Sequence, residues 1–310
     1  MNEIARRQNE KQMLAVAWER RRVYDRVKVV QGILVIVSLF MPVLGVIVAI
    51  WAQSLKPYVA LASLIVGCTD AAFVDRWIKR QMKEGARLQE HFDCSVLELP
   101  WNRFLSGSPI DAEDIAAYRQ TCPPGDGGAM RDWYAPSVSR LPVPAARLAC
   151  QRSNLRYDLR LRRRYCTIVT IAMVVVVVAA FAIAVVQNPS MSSFVLSGAV
   201  PVMPLVLWGV RERNRQLDAS ALVERLKAHV EKLWESVLAG EGDNVLTMSS
   251  RELQDAIFSH RVSSPLVFNW LYSRLRSGLE QQMAGGVEHS VDEFRASASQ
   301  RKTQHLPDAS

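Results

Sequence analysis

The sequence lacks the short motifs by which many enzymes and metal proteins are recognised. It has no Walker loop, no GxGxxG, no HExxH and no GxSxG segment. Its five cysteines form no CxxC or other paired spacing, and its five histidines show no metal-ligand spacing. The chain is therefore not predicted to be an enzyme, and neither a metal nor another cofactor is predicted. The cysteines are interpreted as small hydrophobic residues in a reducing compartment.

Charge is also absent from long parts of the chain, although charged residues make up 22% of the 310 residues and hydrophobic residues 49%. A soluble chain distributes its apolar residues along amphipathic elements, whereas here they are concentrated in blocks. A helix of the first block is about 34 Å long, enough to cross a hydrocarbon core of about 30 Å. The second block is the shortest and carries Asp70. The four predicted transmembrane helices cover residues 29–52, 58–74, 166–186 and 193–210.

The loops within each pair of blocks are short, so the sequence predicts two transmembrane hairpins, residues 29–75 and 166–210. Lys and Arg cluster on the outer side of all four helices, whereas the hairpin tips offer only Lys56. Because positive flanks stay in the cytoplasm, both termini are predicted to be cytoplasmic. In a soluble protein, the net charge of +8 would indicate nucleic-acid binding. Here membrane orientation explains it, and no DNA or RNA partner is expected.

The polar segments are predicted to be helical, which gives an all-α integral membrane protein with two transmembrane hairpins and helical cytoplasmic extensions. The basic N-terminal segment, residues 1–28, is interpreted as a helix at the membrane surface or continuous with the first span; the alternative is a partner-binding role. In the middle segment, residues 76–165, a helix beginning near Pro144 should continue into the third span. In the C-terminal region, residues 211–296, Ser249 and Glu252 form a capping box that predicts a helix start. Residues 297–310 are predicted to be a disordered tail.

Several short strings, in their order around two hairpins, resemble one bacterial family. The first is Arg7-Gln8-Asn9, followed by Tyr24 and Lys28 before the first span. The others are LQEHFDCSVLELPWN, Asp132-Trp133-Tyr134, CQRSNLRYDLRLRRRY, SRELQDAIFSHR, and then Pro265, Trp270 and Tyr272. To about Met283 the chain resembles the S-4TM proteins, the SMODS-associated four-transmembrane effectors. Val27 departs from the pattern, where a small residue is expected.

The resemblance implies an antiphage role in a system of the CBASS type, beside a synthase of cyclic oligonucleotides. A phage-triggered synthase would make the nucleotide, and the effector would then breach the bacterial inner membrane and cause abortive infection. The implied partners are the lipid bilayer, other copies of the chain in a homo-oligomer, and a cyclic oligonucleotide or the pathway that makes it.

Candidate residues for a pore follow from the spans. Four helices are too few to enclose a wide pore, so several subunits must contribute. Asp70 is a candidate pore-lining or gating charge; the alternative is an interfacial Asp70 paired with Arg76. Small residues permit close packing and prolines permit bends. The further candidates on these grounds are two small residues and two prolines, namely Ser63, Gly67, Pro201 and Pro204.

Candidate ligand residues are sought among cations and aromatic rings, because phosphates bind arginine and bases stack on aromatic faces. The middle segment supplies Trp133, Tyr134, Arg147, Arg152 and Arg156. The alternative is structural: the arginines orient the membrane helices and the aromatic rings pack the cytoplasmic domain. Two other functions stay open, a non-conducting membrane-anchored adaptor and, lowest in rank, an intramembrane enzyme.

Overall fold

The computed structural model describes residues 2–123, 130–187, 190–193, 195 and 200–304. We number the helices of this part along the chain. They are α1 (Ile4–Arg7), α2 (Lys11–Trp51), α3 (Lys56–Thr69), α4 (Asp75–Leu97), α5 (Arg103–Ser106), α6 (Ala112–Thr121), α7 (Val143–Gln187), α8 (Met191–Ser193), α9 (Val200–Ala239), α10 (Asp243–Ser263) and α11 (Asn269–Gln304). A π-helical turn, Asp70–Val74, joins α3 to α4. The described residues contain no strand, which confirms the all-α class.

The longest helices are each shared between a membrane-spanning part and a polar body. Helix α2 has 41 residues and α7 has 45. At 1.5 Å per residue they are roughly 60 and 67 Å long, about twice the thickness of a hydrocarbon core. The N-terminal segment therefore runs straight into the first span, and α7 is the continuous helix predicted to begin near Pro144.

The apolar parts of these helices face outwards. Three helical segments of the described residues each contain a stretch that is long and apolar enough to cross a membrane; the segments are Lys11–Gly45, Gln53–Leu97 and Val143–Ala182. Large apolar side chains along them are open to the surroundings, with Phe40 67%, Leu64 63% and Phe181 64% exposed. Water would make such surfaces unfavourable and lipid does not. The chain is an integral membrane protein.

The fourth predicted span, residues 193–210, falls partly on residues 194 and 196–199, which lie outside the described part. Its described end is the start of α9, with Pro201 in the first turn and Pro204 inside the helix. Gly209 of α9 lies directly against the Met173 side chain of α7, where a Cβ atom would collide with the sulfur. The second hairpin therefore packs closely at this level because position 209 has no side chain.

The polar body is built from the remaining halves of α2, α7 and α9, together with α4, α10 and α11. Its largest core cluster contains the fully buried rings of Phe92 and Tyr134, with ring centres 6.5 Å apart, and Leu148, Leu253 and Trp234. Helices α2 and α7 each run through both the polar body and the membrane-spanning part. The core of the body therefore packs around the ends of the spans on that side.

Two helix boundaries differ from the sequence prediction. Helix α10 begins at Asp243, so the helix start predicted at Ser249 is wrong. The neighbouring Ser250 is fully buried, and its hydroxyl donates to Gln151 Oε1 of α7 at 2.9 Å. Helix α11 continues to Gln304, past the start of the predicted tail, while residues 305–310 lie outside the described part.

Candidate functional site

A cavity of about 610 Å³ lies in the body, at the level where α2 and α7 leave it for the membrane. Helices α2, α4, α7, α10 and α11 contribute to its walls, together with the segment that carries Met130 and Trp133. The exposed side chains of Arg21, Asn269 and Ser273 mark its open edge. Ligand pockets typically measure about 300–1,000 Å³, so the cavity is large enough for an organic ligand.

The cavity wall carries an excess of positive charge. Its cations are Arg20, Arg21, Lys28, Arg162, Arg261 and Arg276, and its carboxylates are Asp25 and Asp158. Four of the cations have a carboxylate partner: Arg21–Asp25 at 3.6 Å, Arg162–Asp158 at 3.0 Å, Arg261–Asp93 at 2.6 Å and Arg276–Glu280 at 2.5 Å. Arg20 and Lys28 therefore supply the positive charge of the cavity that no ion pair of the described residues neutralises.

Arg20 is partly buried and has no carboxylate within ion-pair distance among the described residues. Its guanidinium carbon lies 5.7 Å from the centre of the Trp133 ring, a cation–π contact. Burial lowers the pKa of Arg20, because a charge is less stable away from water. An anion in the cavity would oppose this effect, because a nearby negative charge favours the charged form of the guanidinium.

Lys28 occupies the end of the cavity nearest the membrane. Its ammonium group donates to Asn269 Oδ1 of α11 at 2.6 Å and lies 5.2 Å from the centre of the Tyr272 ring. Burial lowers the pKa of Lys28 to about 8; Asp25 opposes this effect, and the neighbouring arginines of α2 add to it. Asn269 also donates to Asp25 Oδ1 at 2.8 Å, so this end is a small polar link between α2 and α11.

Aromatic rings line the cavity between these cations. Trp133 and Tyr157 meet edge to face, with ring centres 5.6 Å apart. Tyr24 of α2 lies over Gly85 of α4, where a Cβ atom would be only 2.6 Å from the tyrosine ring. Together with Tyr272, these rings offer planar apolar faces of the kind on which nucleic-acid bases stack.

A buried polar network supports the cavity wall. Its centre is Asp93, which has no exposed surface. The carboxylate accepts hydrogen bonds from Arg261 Nη1 at 2.6 Å, Tyr134 Oη at 2.9 Å, Gln89 Nε2 at 2.8 Å and Gln254 Nε2 at 3.1 Å. The network fixes α4, α10 and the segment that carries Tyr134 around one charge, because the donors that satisfy a buried carboxylate hold the elements they belong to in place.

A second polar cluster, the Asp158 clasp, joins α7 to α10 at the cavity wall. Asp158 Oδ2 accepts from Arg162 Nε at 3.0 Å and contacts His260 Nε2 at 2.9 Å. Burial alone would raise the pKa of Asp158, but Arg162 and His260 lower it, so the carboxylate stays ionised. Arg162 also donates to Gln216 of α9 and to the Pro265 carbonyl. The base of the third span is thereby tied to three neighbouring segments.

The ligand residues suggested by the sequence are separated in the structure. Trp133 lines the cavity. Tyr134 is buried and does not line it, and its hydroxyl group donates a hydrogen bond to Asp93. Arg147 donates to the carbonyls of Leu97 and Glu98, each at 2.6 Å. These contacts give Tyr134 and Arg147 structural roles within the chain.

Arg152 and Arg156 lie together elsewhere on α7. Arg152 pairs with Glu231 at 2.7 Å and with Glu293 at 3.2 Å, and Arg156 pairs with Glu231 at 2.8 Å. They line a cavity of only about 40 Å³, too small for a nucleotide. Their proposed ligand contact stays a prediction.

The pore candidates lie on the membrane side. Asp70 begins the π-helical turn and lines a second cavity of about 510 Å³ with Gln31, Asp75 and Glu212. Asp70 and Arg76 form no ion pair in the described structure, and Asp75 pairs with Lys79 at 2.7 Å. Ser63 is exposed, and a Cβ atom on Gly67 would meet nothing within 4 Å, so this face of α3 has no partner helix among the described residues.

Sequence reasoning did not select Arg20 or Lys28 as ligand residues. Both belong to the basic flank of the first span, and the positive-inside rule accounts for that flank without a ligand. Lys28 and Asn269 are 241 residues apart in the sequence, so only the folded chain shows that they meet at one end of the cavity. A usable signal was the four-residue spacing of Arg20, Tyr24 and Lys28, which places them on one helix face.

Comparison with known proteins places these features in a family. The family model of the SMODS-associating 4TM effector domain matches residues 2–290. The chain belongs to this family. The match spans the cavity, both hairpins and most of α11, so the SMODS-associating 4TM effector domain is nearly the whole chain. Within the described residues, no group of three or more His, Cys, Asp or Glu side chains is arranged to hold a metal ion.

One curated relative of this SMODS-associating 4TM effector is a protein of Bacillus cereus strain VD146, named as a probable CBASS effector molecule. It is 22% identical over 280 residues, a match that covers 86% of this chain and 90% of the relative. No solved structure matches the chain significantly. The similarity therefore extends through the membrane part and the body alike.

Proposed function

We propose that this chain is a non-enzymatic, membrane-embedded effector of a CBASS-type antiphage system. A phage-triggered synthase makes a cyclic oligonucleotide, the effector responds by permeabilising the inner membrane, and the infected cell dies before phage is released. Membership of the SMODS-associating 4TM effector family and the name of the Bacillus cereus relative support this role.

The observation that carries the proposal is the continuity between the cavity wall and the spans. Arg20, Tyr24 and Lys28 lie on α2, which continues without a break into the first span. Asp158 and Arg162 lie on α7, which continues into the third. A ligand that shifts either wall therefore shifts a transmembrane helix directly, because a helix is stiff over several turns. A cavity on a separately hinged domain would lack this coupling.

The proposed orientation puts the body and both termini in the cytoplasm. Arginine and lysine flank all four spans on the side of the body, and the hairpin tips offer only Lys56. Lys and Arg near the ends of spans favour the cytoplasmic side. In this orientation the cavity faces the compartment in which a cyclic oligonucleotide is made.

Permeabilisation is proposed to require a homo-oligomer. One chain contributes two hairpins, which cannot surround a wide aqueous path. The open face of α3 at Ser63 and Gly67 suits a helix of a second subunit, because small residues let helix backbones approach closely in lipid. The cavity around Asp70 lies next to this face and supplies polar side chains at membrane depth.

The test is the membrane potential of bacteria that express this chain, with and without an active cyclic-oligonucleotide synthase. We expect rapid depolarisation only when the synthase is active. A catalytically dead synthase at equal expression provides the control. An intact potential in cells shown to contain the nucleotide would contradict the proposal and favour a non-conducting adaptor.

A further inference from the structure

Helix α2 presents a regular stripe to the cavity. Arg20, Tyr24 and Lys28 are four residues apart in turn, so they lie on one face and line the cavity together. The eight-residue step from Arg20 to Lys28 corresponds to about 12 Å along the helix. Arg20 and Lys28, which have no carboxylate partner in the described part of the chain, thus lie at the two ends of the stripe with a tyrosine between them.

Both cations keep hydrogen-bond donors available. The guanidinium of Arg20 has five N–H donors and makes no hydrogen bond within the described structure. The ammonium of Lys28 has three donors, and one binds Asn269. Phosphate oxygens are the acceptors that suit such groups best, and a charge-assisted hydrogen bond to phosphate is among the stronger ones. The spacing suits a ligand with two separated phosphates better than a single small anion.

We propose that Arg20 and Lys28 bind two phosphates of a cyclic oligonucleotide, whose bases stack on the aromatic rings beside them. The proposal rests on the proposed function and assigns nucleotide binding to this chain itself, rather than to a partner. Trp133 stands next to Arg20 and Tyr272 next to Lys28, so each phosphate position has an aromatic face at hand. The stripe would bind the phosphates and the rings would hold the bases.

Anionic lipid offers the same phosphate chemistry, and Lys28 lies at the membrane boundary. The aromatic faces favour a nucleotide, because the headgroup of phosphatidylglycerol has no planar group to stack on them. Arg20 also lies about 12 Å further from the membrane along α2, beyond easy reach of a headgroup that already contacts Lys28. We therefore assign the site to the nucleotide and treat lipid as a competing outcome.

The experiment is calorimetric titration of the full-length chain in nanodiscs, with a panel of cyclic di- and trinucleotides. One set of nanodiscs contains phosphatidylcholine alone and a second also contains phosphatidylglycerol. The variants are Arg20→Gln, Lys28→Gln and Arg20→Lys, and the matched control is Arg26→Gln. Arg26 is an exposed residue of the same helix and does not line the cavity. Melting curves of each variant check that the fold is intact.

We expect Arg20→Gln and Lys28→Gln each to weaken binding at least about tenfold, since a hydrogen bond to a charged group contributes this much. Arg20→Lys should lie between the wild type and Arg20→Gln, and Arg26→Gln should bind as the wild type does. The wild type should bind in both lipid compositions.

Three results would overturn the assignment: unchanged nucleotide affinity in both cavity variants, no binding by any nucleotide in the panel, or nucleotide binding that is lost when the nanodiscs contain phosphatidylglycerol. The depolarisation assay separates this failure from failure of the proposed function. If cells with an active synthase still depolarise when they carry Arg20→Gln, the site is wrong and the effector function stands. If wild-type cells do not depolarise although the purified chain binds nucleotide, the site stands and the function is wrong.

Discussion

The pair of Asp93 and Arg261 gives the most quantitative prediction, because it joins a completely buried carboxylate to a largely buried guanidinium through a short hydrogen bond. Arg261→Met removes the guanidinium that lies 2.6 Å from a carboxylate with no exposed surface. Asp93 would keep the neutral donors of Tyr134, Gln89 and Gln254, but no cation would remain in contact with it. Breaking a buried ion pair in this way costs about 3–5 kcal/mol of the free energy of unfolding.

The expected change in melting temperature follows from the size of the folded body. For domains of 150–250 residues, 1 kcal/mol corresponds to about 2–4 °C. Arg261→Met should therefore melt roughly 6–20 °C below the wild type. The assay is tryptophan fluorescence during heating of the purified chain in detergent, because Trp133 and Trp234 report on the packing of the body.

The double variant Asp93→Asn with Arg261→Met tests the reasoning, because it also removes the uncompensated charge. It should melt above the single Arg261→Met variant. Arg6→Met is the control; Arg6 pairs with Glu3 and Glu10 on the surface, where ion pairs contribute little, so its melting temperature should not change. A wild-type melting temperature for Arg261→Met, or a double variant less stable than Arg261→Met, would refute the account.

Three further predictions concern the cavity and the spans. Nucleotide affinity, measured in titrations between about pH 7 and 9, should fall as the pH rises through about 8, because Lys28, whose pKa burial lowers to about 8, becomes a neutral amine that no longer attracts phosphate. The Lys28→Arg variant stays charged and should remove most of this fall. Gly85→Ala should push the Tyr24 ring towards the cavity and weaken synthase-dependent depolarisation. Gly278→Ala is the control and should have no effect, because a Cβ atom there meets nothing within 4 Å. Immunoblots of the membrane fraction must show equal insertion of both variants. Asp70→Asn should reduce synthase-dependent depolarisation, because it removes the charge proposed to line the conducting path; unchanged depolarisation would rule out that role.

Much of the architecture could be predicted from the sequence because its strongest signals are local. A run of apolar residues long enough to cross a bilayer has few other stable states, and a run without helix breakers continues as a helix. For that reason the continuous helix α7, Val143–Gln187, follows from the sequence. The start of α10 does not, because the local capping signal at Ser249 competes with a contact from Ser250 to Gln151, 99 residues away.

The candidate site was harder to predict, because one residue type serves two purposes here. Arg20 and Lys28 belong to a basic flank that membrane orientation explains, and nothing local separates a ligand-binding cation from an orienting one. Arg152 and Arg156 have the same appearance in sequence, yet in the folded chain they pair with Glu231. The difference lies in whether a carboxylate from a distant helix reaches each arginine.

The most direct test of the central claim, that this chain itself opens a membrane path when a ligand occupies the cavity, is ion release from proteoliposomes of the purified chain. The account predicts release only after a cyclic oligonucleotide that binds the chain is added, and a much weaker response from Arg20→Gln than from Arg26→Gln. Proteoliposomes that stay sealed while the nucleotide is demonstrably bound would contradict it, because a ligand in this cavity would then not act on the spans.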